Sequence, residues 1–393
     1  MDAINDQQPD AVDPQISLIR GGPAYRAQQA SRLILPNEWN NVRRVVFAIA
    51  VGWLPLILIT ALFHPDSLLS LLKDYRVHSR MLVAIPVLLF GQVLLEARFR
   101  MVVSQIRKAD LLNTADFVRM DDIIAMVLRL RDSLFPELAI LLLLIIRSVT
   151  AFRGLVDDAP WLEQGTGVSL HFTPAGWYAV LVSAALFQFL LGLTLWKWLL
   201  WTLFAFRLSR LKLKLAPTHA DGHGGLGFLG LTPIAFAPVA FASATVIGAT
   251  WRYQILHDGA QLMSFKLPAI AFVVIIAVIA LAPLLFFVPR LVRLRKQGIL
   301  EYGILAQMQT FNFNEKWIRG RTGHETEFFT APEINSLGNF SHTYRRIERL
   351  NPFPADKEAF VALALSVAVP LLPMILAAVP LVTVLKVLLK ALH

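Results

Sequence analysis

Apolar residues recur along this chain in blocks of about twenty, the length of helix needed to cross the hydrocarbon core of a bilayer. The blocks fall at 44–63, 77–96, 134–150, 175–206, 226–251 and 267–288, followed by a longer stretch at 359–389. The last block exceeds one straight span and contains Pro370, Pro373 and Pro380. No polar turn divides it, so one tilted, kinked helix is expected rather than a re-entrant hairpin. The pattern predicts an all-α fold, a polytopic transmembrane bundle of about seven spans with several proline-kinked helices and cytoplasmic helical extensions.

Polar stretches complete the organisation. Residues 1–43 read as an arm whose patterned part carries Leu18, Ile19, Leu33 and Leu35 among arginines. That pattern suits docking on other cytoplasmic parts or lying on the membrane surface. Residues 44–288 form the six-span region, interrupted at 97–133 by a loop with helical spacing of Phe117, Ile124, Leu128 and Leu130. Residues 289–357 form a second cytoplasmic segment, starting as a helix that continues the sixth span. Residues 358–393 hold the last span.

Composition agrees with the pattern. Hydrophobic residues make up 56% of the 393 positions and charged residues 16%, against about 25% charged in a soluble domain. Charge then orients the chain. Segment 97–132 holds seven Lys or Arg, 207–225 holds four and 290–357 holds eleven, whereas 151–174 holds Arg153 alone. This alternation places the N-terminus and the basic loops in the cytoplasm. It also accounts for the net charge of +10 without nucleic acid as a partner; the expected partners are the lipid bilayer and further copies of the chain. The first forty residues lack a cleavable signal pattern, so the first span is expected to serve as the insertion signal.

Candidate chemistry is sparse. Cysteine is absent, which removes disulfides and thiolate sites. No phosphate-binding loop, nucleophile elbow or metalloprotease motif is present. The most unusual segment is Thr218-His219-Ala220-Asp221-Gly222-His223-Gly224-Gly225-Leu226-Gly227, at the entrance to the fifth span. Three readings remain open. His219, Asp221 and His223 are zinc- or iron-type ligands, although their i, i+2, i+4 spacing matches no common helical metal motif. Gly224, Gly225 and Gly227 expose backbone N–H groups as an anion nest would. Alternatively, Asp221 or Thr218 caps the helix and the glycines allow close packing. Nothing specifies a cofactor.

Within the fifth span, Ala240, Ala244 and Gly248 form a small-residue stripe, with Ser243 and Thr245 adding hydroxyls. Such a stripe permits close backbone approach in lipid or lines a permeation path. Lys197 lies between Trp196 and Trp198, near Trp201, and reads as a snorkelling cation in an interfacial belt. Proton relays and voltage sensors lack their residues, since no carboxylate falls at mid-span and no arginine ladder occurs. His324, Glu325, Glu327, Glu333 and His342 read as a solvated face.

The segment 218–229, together with Leu337-Gly338-Asn339 through Tyr344 and Asn351-Pro352-Phe353-Pro354, resembles a pattern in uncharacterised bacterial multi-spanning membrane proteins. The resemblance covers roughly the second half of the chain and implies a bacterial inner membrane; it carries no active site. Proline-broken spans, the small-residue stripe and the lack of catalytic motifs favour a channel or a small-solute or ion transporter over an enzyme. Its cytoplasmic mouth is expected at 218–227. The alternative is a membrane-embedded enzyme or sensor with a His/Asp metal or anion site at that loop.

Overall fold

The computed structural model describes residues 16–34, 41–153, 159, 161–164, 171–319 and 332–378. About four-fifths of these are helical. The strand pairing among them is two residues long, Glu163–Gln164 against His171–Phe172. Six helices are long and apolar enough to cross a membrane: α2 (Asn41–Phe63), α3 (Tyr75–Lys108), α6 (Pro174–Leu208), α7 (Gly227–His257), α8 (Leu262–Leu285) and α11, whose spanning part is Lys357–Ala377. The other helices of eight or more residues among those described are α1 (Pro23–Ala30), α4 (Thr114–Arg131), α5 (Phe135–Arg153), α9 (Val288–Phe313) and α10 (Pro332–Glu348). The segment expected as the third span is α5, a helix of 19 residues that is not one of the six.

Helix ends follow local chemistry. Pro289 is the second residue of α9, where a missing N–H costs little, while Pro55, Pro86 and Pro238 restart α-helical geometry inside α2, α3 and α7 after a break at Trp53, a π-type stretch and a 3-10 stretch. Before Pro86 the helix widens into π-type turns at Ser79–Ala84, which relieves the clash of a proline ring with the preceding turn. Pro283, Pro370 and Pro373 lie inside helices. Helix α11 is continuous through Ala378; Pro380 and the rest of the last apolar block lie outside the described residues. Several buried hydroxyls bond to their own helix, as Thr60 does to the Leu56 carbonyl (2.9 Å) and Thr245 to that of Phe241 (2.8 Å), whereas the buried Ser183 hydroxyl has no partner among the described residues.

Helices α3 and α6, 34 and 35 residues long, run about 50 Å at 1.5 Å per residue, well beyond a bilayer core of about 30 Å. The surplus of α3 carries the expected loop helix, which continues to Lys108 before α4 turns back. Likewise α9 restarts two residues after α8 and carries the basic run onward. Apolar side chains such as Leu142, Leu143, Ile146, Leu267 and Val274 stay exposed, as a lipid-facing surface requires.

The small-residue stripe is buried at Ala240, Ala244 and Gly248. A Cβ on Gly248 would stand 3.0 Å from both the Pro370 carbonyl oxygen and Leu371, so α7 and α11 meet backbone to backbone there. Gly91 serves α3 in the same way against Pro238, where a Cβ would come within 2.4 Å.

One expectation is corrected. Trp198 and Trp201 do not form an interfacial belt: they are 3% and 2% exposed. Trp198 donates its indole N–H to the Ile279 carbonyl of α8 at 3.0 Å, and Trp201 packs edge-on against Phe99. With both rings turned into the core, Lys197, which immediately precedes Trp198, is also drawn inside.

Candidate functional site

The N-terminal arm threads into the bundle and is held by acidic side chains. Glu96 of α3 accepts from the backbone N–H of Leu18 (2.9 Å) and Ile19 (3.2 Å) through one oxygen, while the other receives Arg100 at 2.7 Å. Asp132 accepts from Gly22 N–H at 2.8 Å and Glu137 of α5 from Ala24 N–H at 2.9 Å. Arg131 chelates Asp132 and donates to the Ser17 carbonyl. Three carboxylates thus grip the free N–H groups that precede and begin α1, where a helix start attracts negative charge. The fit is close: a Cβ on Gly21 would fall 2.2 Å from the Arg131 guanidinium. The arm docks on the bundle, and Leu18 and Ile19 are buried there; Leu35 lies outside the described residues.

Behind the arm lies a polar chamber walled by Arg44, Gln92, Glu137 and Lys197, with Gly22 and Tyr25 of the arm. Its free volume is about 20 Å³, room for one water or a monatomic ion. Arg44 donates to three neutral oxygens, those of Gln28 (2.9 Å), Gln92 (2.9 Å) and Asn41 (3.3 Å). Gln92 in turn donates to Thr194 of α6 at 3.3 Å. Lys197 is 9% exposed and makes no hydrogen bond or ion pair among the described residues. Three basic side chains, Arg44, Arg131 and Lys197, therefore line one small space together with Glu137. The carboxylates nearest to it, Glu137 and Glu96, are committed to backbone N–H groups of the arm, Glu96 to Arg100 as well. Buried charges without such compensation are costly, and an anion in the chamber would offset that cost.

The loop singled out by the sequence has a different construction. Asp221 accepts from the N–H groups of His223 (2.9 Å), Gly225 (3.1 Å) and Gly227 (2.8 Å). His219 Nδ1 lies 2.9 Å from the same carboxylate. Partial burial pushes the Asp221 carboxyl up, but the hydrogen bonds from His223, Gly227, Gly225 and His219 outweigh it and hold it below the usual carboxylate range. The nest is real, and its anion is the chain's own. Gly222, Gly224 and Gly225 adopt the left-handed backbone that wraps the loop round the carboxylate.

His219 and Asp221 meet, but His223 turns Nδ1 onto the Asp221 carbonyl at 2.8 Å, and its Nε2 is buried without a partner. No group of three or more His, Asp or Glu among the described residues could hold a metal ion. The loop is also overlaid: Asn351 donates to the Gly222 carbonyl at 2.9 Å, and Gly224 packs on Leu291 and Leu294 of α9. In α7, Ser243 is half-buried and Thr245 is bonded within its helix. His324, Glu325 and Glu327 lie outside the described residues; His342 is on α10.

Sequence reasoning singles out Lys197 as a snorkelling cation beside tryptophans. It misses the convergence of Lys197 with Arg44, Gln92 and Glu137 on one chamber. The available signal was Gln92, a lone amide in an apolar run facing the same way as Glu96 one turn later.

Fold and site define the class: a helical membrane protein with a polar chamber set among its apolar helices. No family model matches the chain, and no match was found among characterised proteins or solved structures. Two of the segments that carried the resemblance, the 218–229 loop and Asn351 to Pro354, are joined by the Asn351–Gly222 hydrogen bond.

Proposed function

We propose that this protein is a conduit for small inorganic anions, with the Arg44–Lys197 chamber as its selective element and the N-terminal arm as its cytoplasmic stopper. The observation that carries this reading is Lys197, a buried amine facing a small cavity that Arg44 and Arg131 also line, with no ion-pair partner of its own among the described residues. The conduit expected from the sequence is retained. Its selective element moves from the 218–227 loop to the chamber, because the loop's N–H donors are already spent on Asp221. The reading includes α5 as a seventh span, a cytoplasmic N-terminus, a bacterial inner membrane and assembly from several copies of the chain.

The test of selectivity is electrical. Wild-type protein in planar bilayers under a KCl gradient should reverse near the chloride equilibrium potential, and Lys197→Met should move the reversal towards zero. The variant should fold normally, since an apolar side chain of similar shape replaces a buried charge at little cost in stability. An anion preference unchanged by Lys197→Met, or the absence of current even in Glu96→Ala, which frees the arm, would remove the chamber from the mechanism.

The orientation is tested separately in the cysteine-free chain. Ser209 is 5% exposed and would be a silent probe, whereas Lys212 and Asp258 are exposed. A cysteine at 212 should resist an impermeant thiol reagent in intact cells, and one at 258 should react. The reverse pattern would invert the proposed topology.

A further inference from the structure

A second cationic site lies where α6 and α8 end, apart from the chamber. The cleft there has a volume of about 390 Å³. Its apolar part is Phe206, Leu285 and Phe286, with the two aromatic rings 5.1 Å apart and set edge to face. Its polar rim is Arg210, Arg290 and Arg293. The Arg210 guanidinium stands 5.0 Å from the Phe206 ring, and Arg293 donates only to the Pro289 carbonyl of its own helix at 3.3 Å. None of the three arginines forms an ion pair among the described residues. They are close enough to oppose one another. Burial, then Arg293 and Arg210, lower the pKa of Arg290, and Asp116 works against them. Asp116 itself is paired with Arg119 at 3.0 Å.

Arginine clusters of this kind bind phosphate oxygens, because the planar fork meets two oxygens at once. Here the fork stands immediately beyond the ends of two apolar helices, Leu208 and Leu285. Headgroups lie at that level, and the apolar floor below matches an acyl chain. A freely diffusing phosphate would have no use for Phe206, Leu285 and Phe286. We infer that this cleft binds the phosphate of an acidic phospholipid, with Arg210, Arg290 and Arg293 as the headgroup ligands and the Phe206–Phe286 pair against the chain.

Each basic side chain near such a surface contributes on the order of 1 kcal/mol. Replacing two should therefore weaken binding about 30-fold. The experiment uses the full chain purified in a neutral detergent, with phosphatidylglycerol, phosphatidylcholine and inorganic phosphate added separately. Phosphatidylglycerol should raise Tm and remain bound in native mass spectra, while the other two should not. In Arg210→Gln/Arg293→Gln the lipid-dependent shift should vanish. Both residues are exposed, so Tm without lipid should hold, and the single Arg293→Gln variant should give an intermediate shift. Equal lipid shifts in wild type and double variant would overturn the inference. So would stabilisation by phosphatidylcholine to the same degree, which would leave only an apolar groove. A full effect from inorganic phosphate alone would mark a free-phosphate site and reject the lipid.

Discussion

Glu96→Ala should release the N-terminal arm. In the wild type one Glu96 oxygen accepts from two buried backbone donors, Leu18 and Ile19, and the other holds Arg100. Alanine strands both N–H groups in an apolar surround and leaves Arg100 without its carboxylate. A buried donor left unmade costs about 1–3 kcal/mol. A combined loss of about 3 kcal/mol would raise the population of the detached arm roughly a hundredfold, and proteolysis of a transiently open segment follows that population. Trypsin cleavage at Arg20 and Arg26 should therefore accelerate about a hundredfold in folded protein. Glu96→Gln keeps an acceptor for the arm but loses charge, and should fall between. If the arm stoppers a conduit, the alanine variant should also leak more in the planar bilayer. A cleavage rate equal to wild type would show that the arm is held by its buried apolar residues alone.

Asp221→Asn should destabilise the protein, although asparagine caps helices about as well as aspartate. The reason is the number of donors. Three backbone N–H groups and the His219 ring converge on the two oxygens of Asp221. Asparagine offers one oxygen and turns an NH2 towards donors. Hydrogen bonds to a charged acceptor contribute about 1.5–3 kcal/mol each, so the loss of one or two should lower Tm by several degrees. The pH dependence follows from the depressed carboxyl. Its stabilisation is complete above the ordinary value of 3.8 and is lost as pH falls below that towards the native value. The gap in Tm between wild type and Asp221→Asn should thus be constant near neutrality and close only below about pH 3.8. Thermal unfolding of both proteins in detergent from pH 3 to pH 8 measures it. A gap that opens or closes between pH 5 and 7 would instead implicate the histidines.

What the sequence determined by itself was whatever depends on local composition and period. Six of the seven apolar blocks coincide with helices long enough to span a membrane, because runs of apolar residues in lipid can satisfy their backbone only as helices. The extensions beyond α3 and α8, and the close packing at Gly248, were legible for the same reason: a helical period and small side chains announce themselves locally. The role of each polar residue was decided by tertiary structure. A lysine among tryptophans reads alike whether it snorkels or is buried, and only the packing of Trp198 on Ile279 and Trp201 on Phe99 turned Lys197 inward. The glycine-rich loop reads alike whether its nest awaits a ligand or holds its own Asp221. The arm's destination depended on contacts about 80 to 110 residues away along the chain, from Leu18 to Glu96 and from Gly22 to Asp132, and no periodicity encodes those. Propensity and hydropathy are properties of a window of sequence, whereas charge compensation in a low-dielectric interior is settled by which groups the fold brings within hydrogen-bond reach.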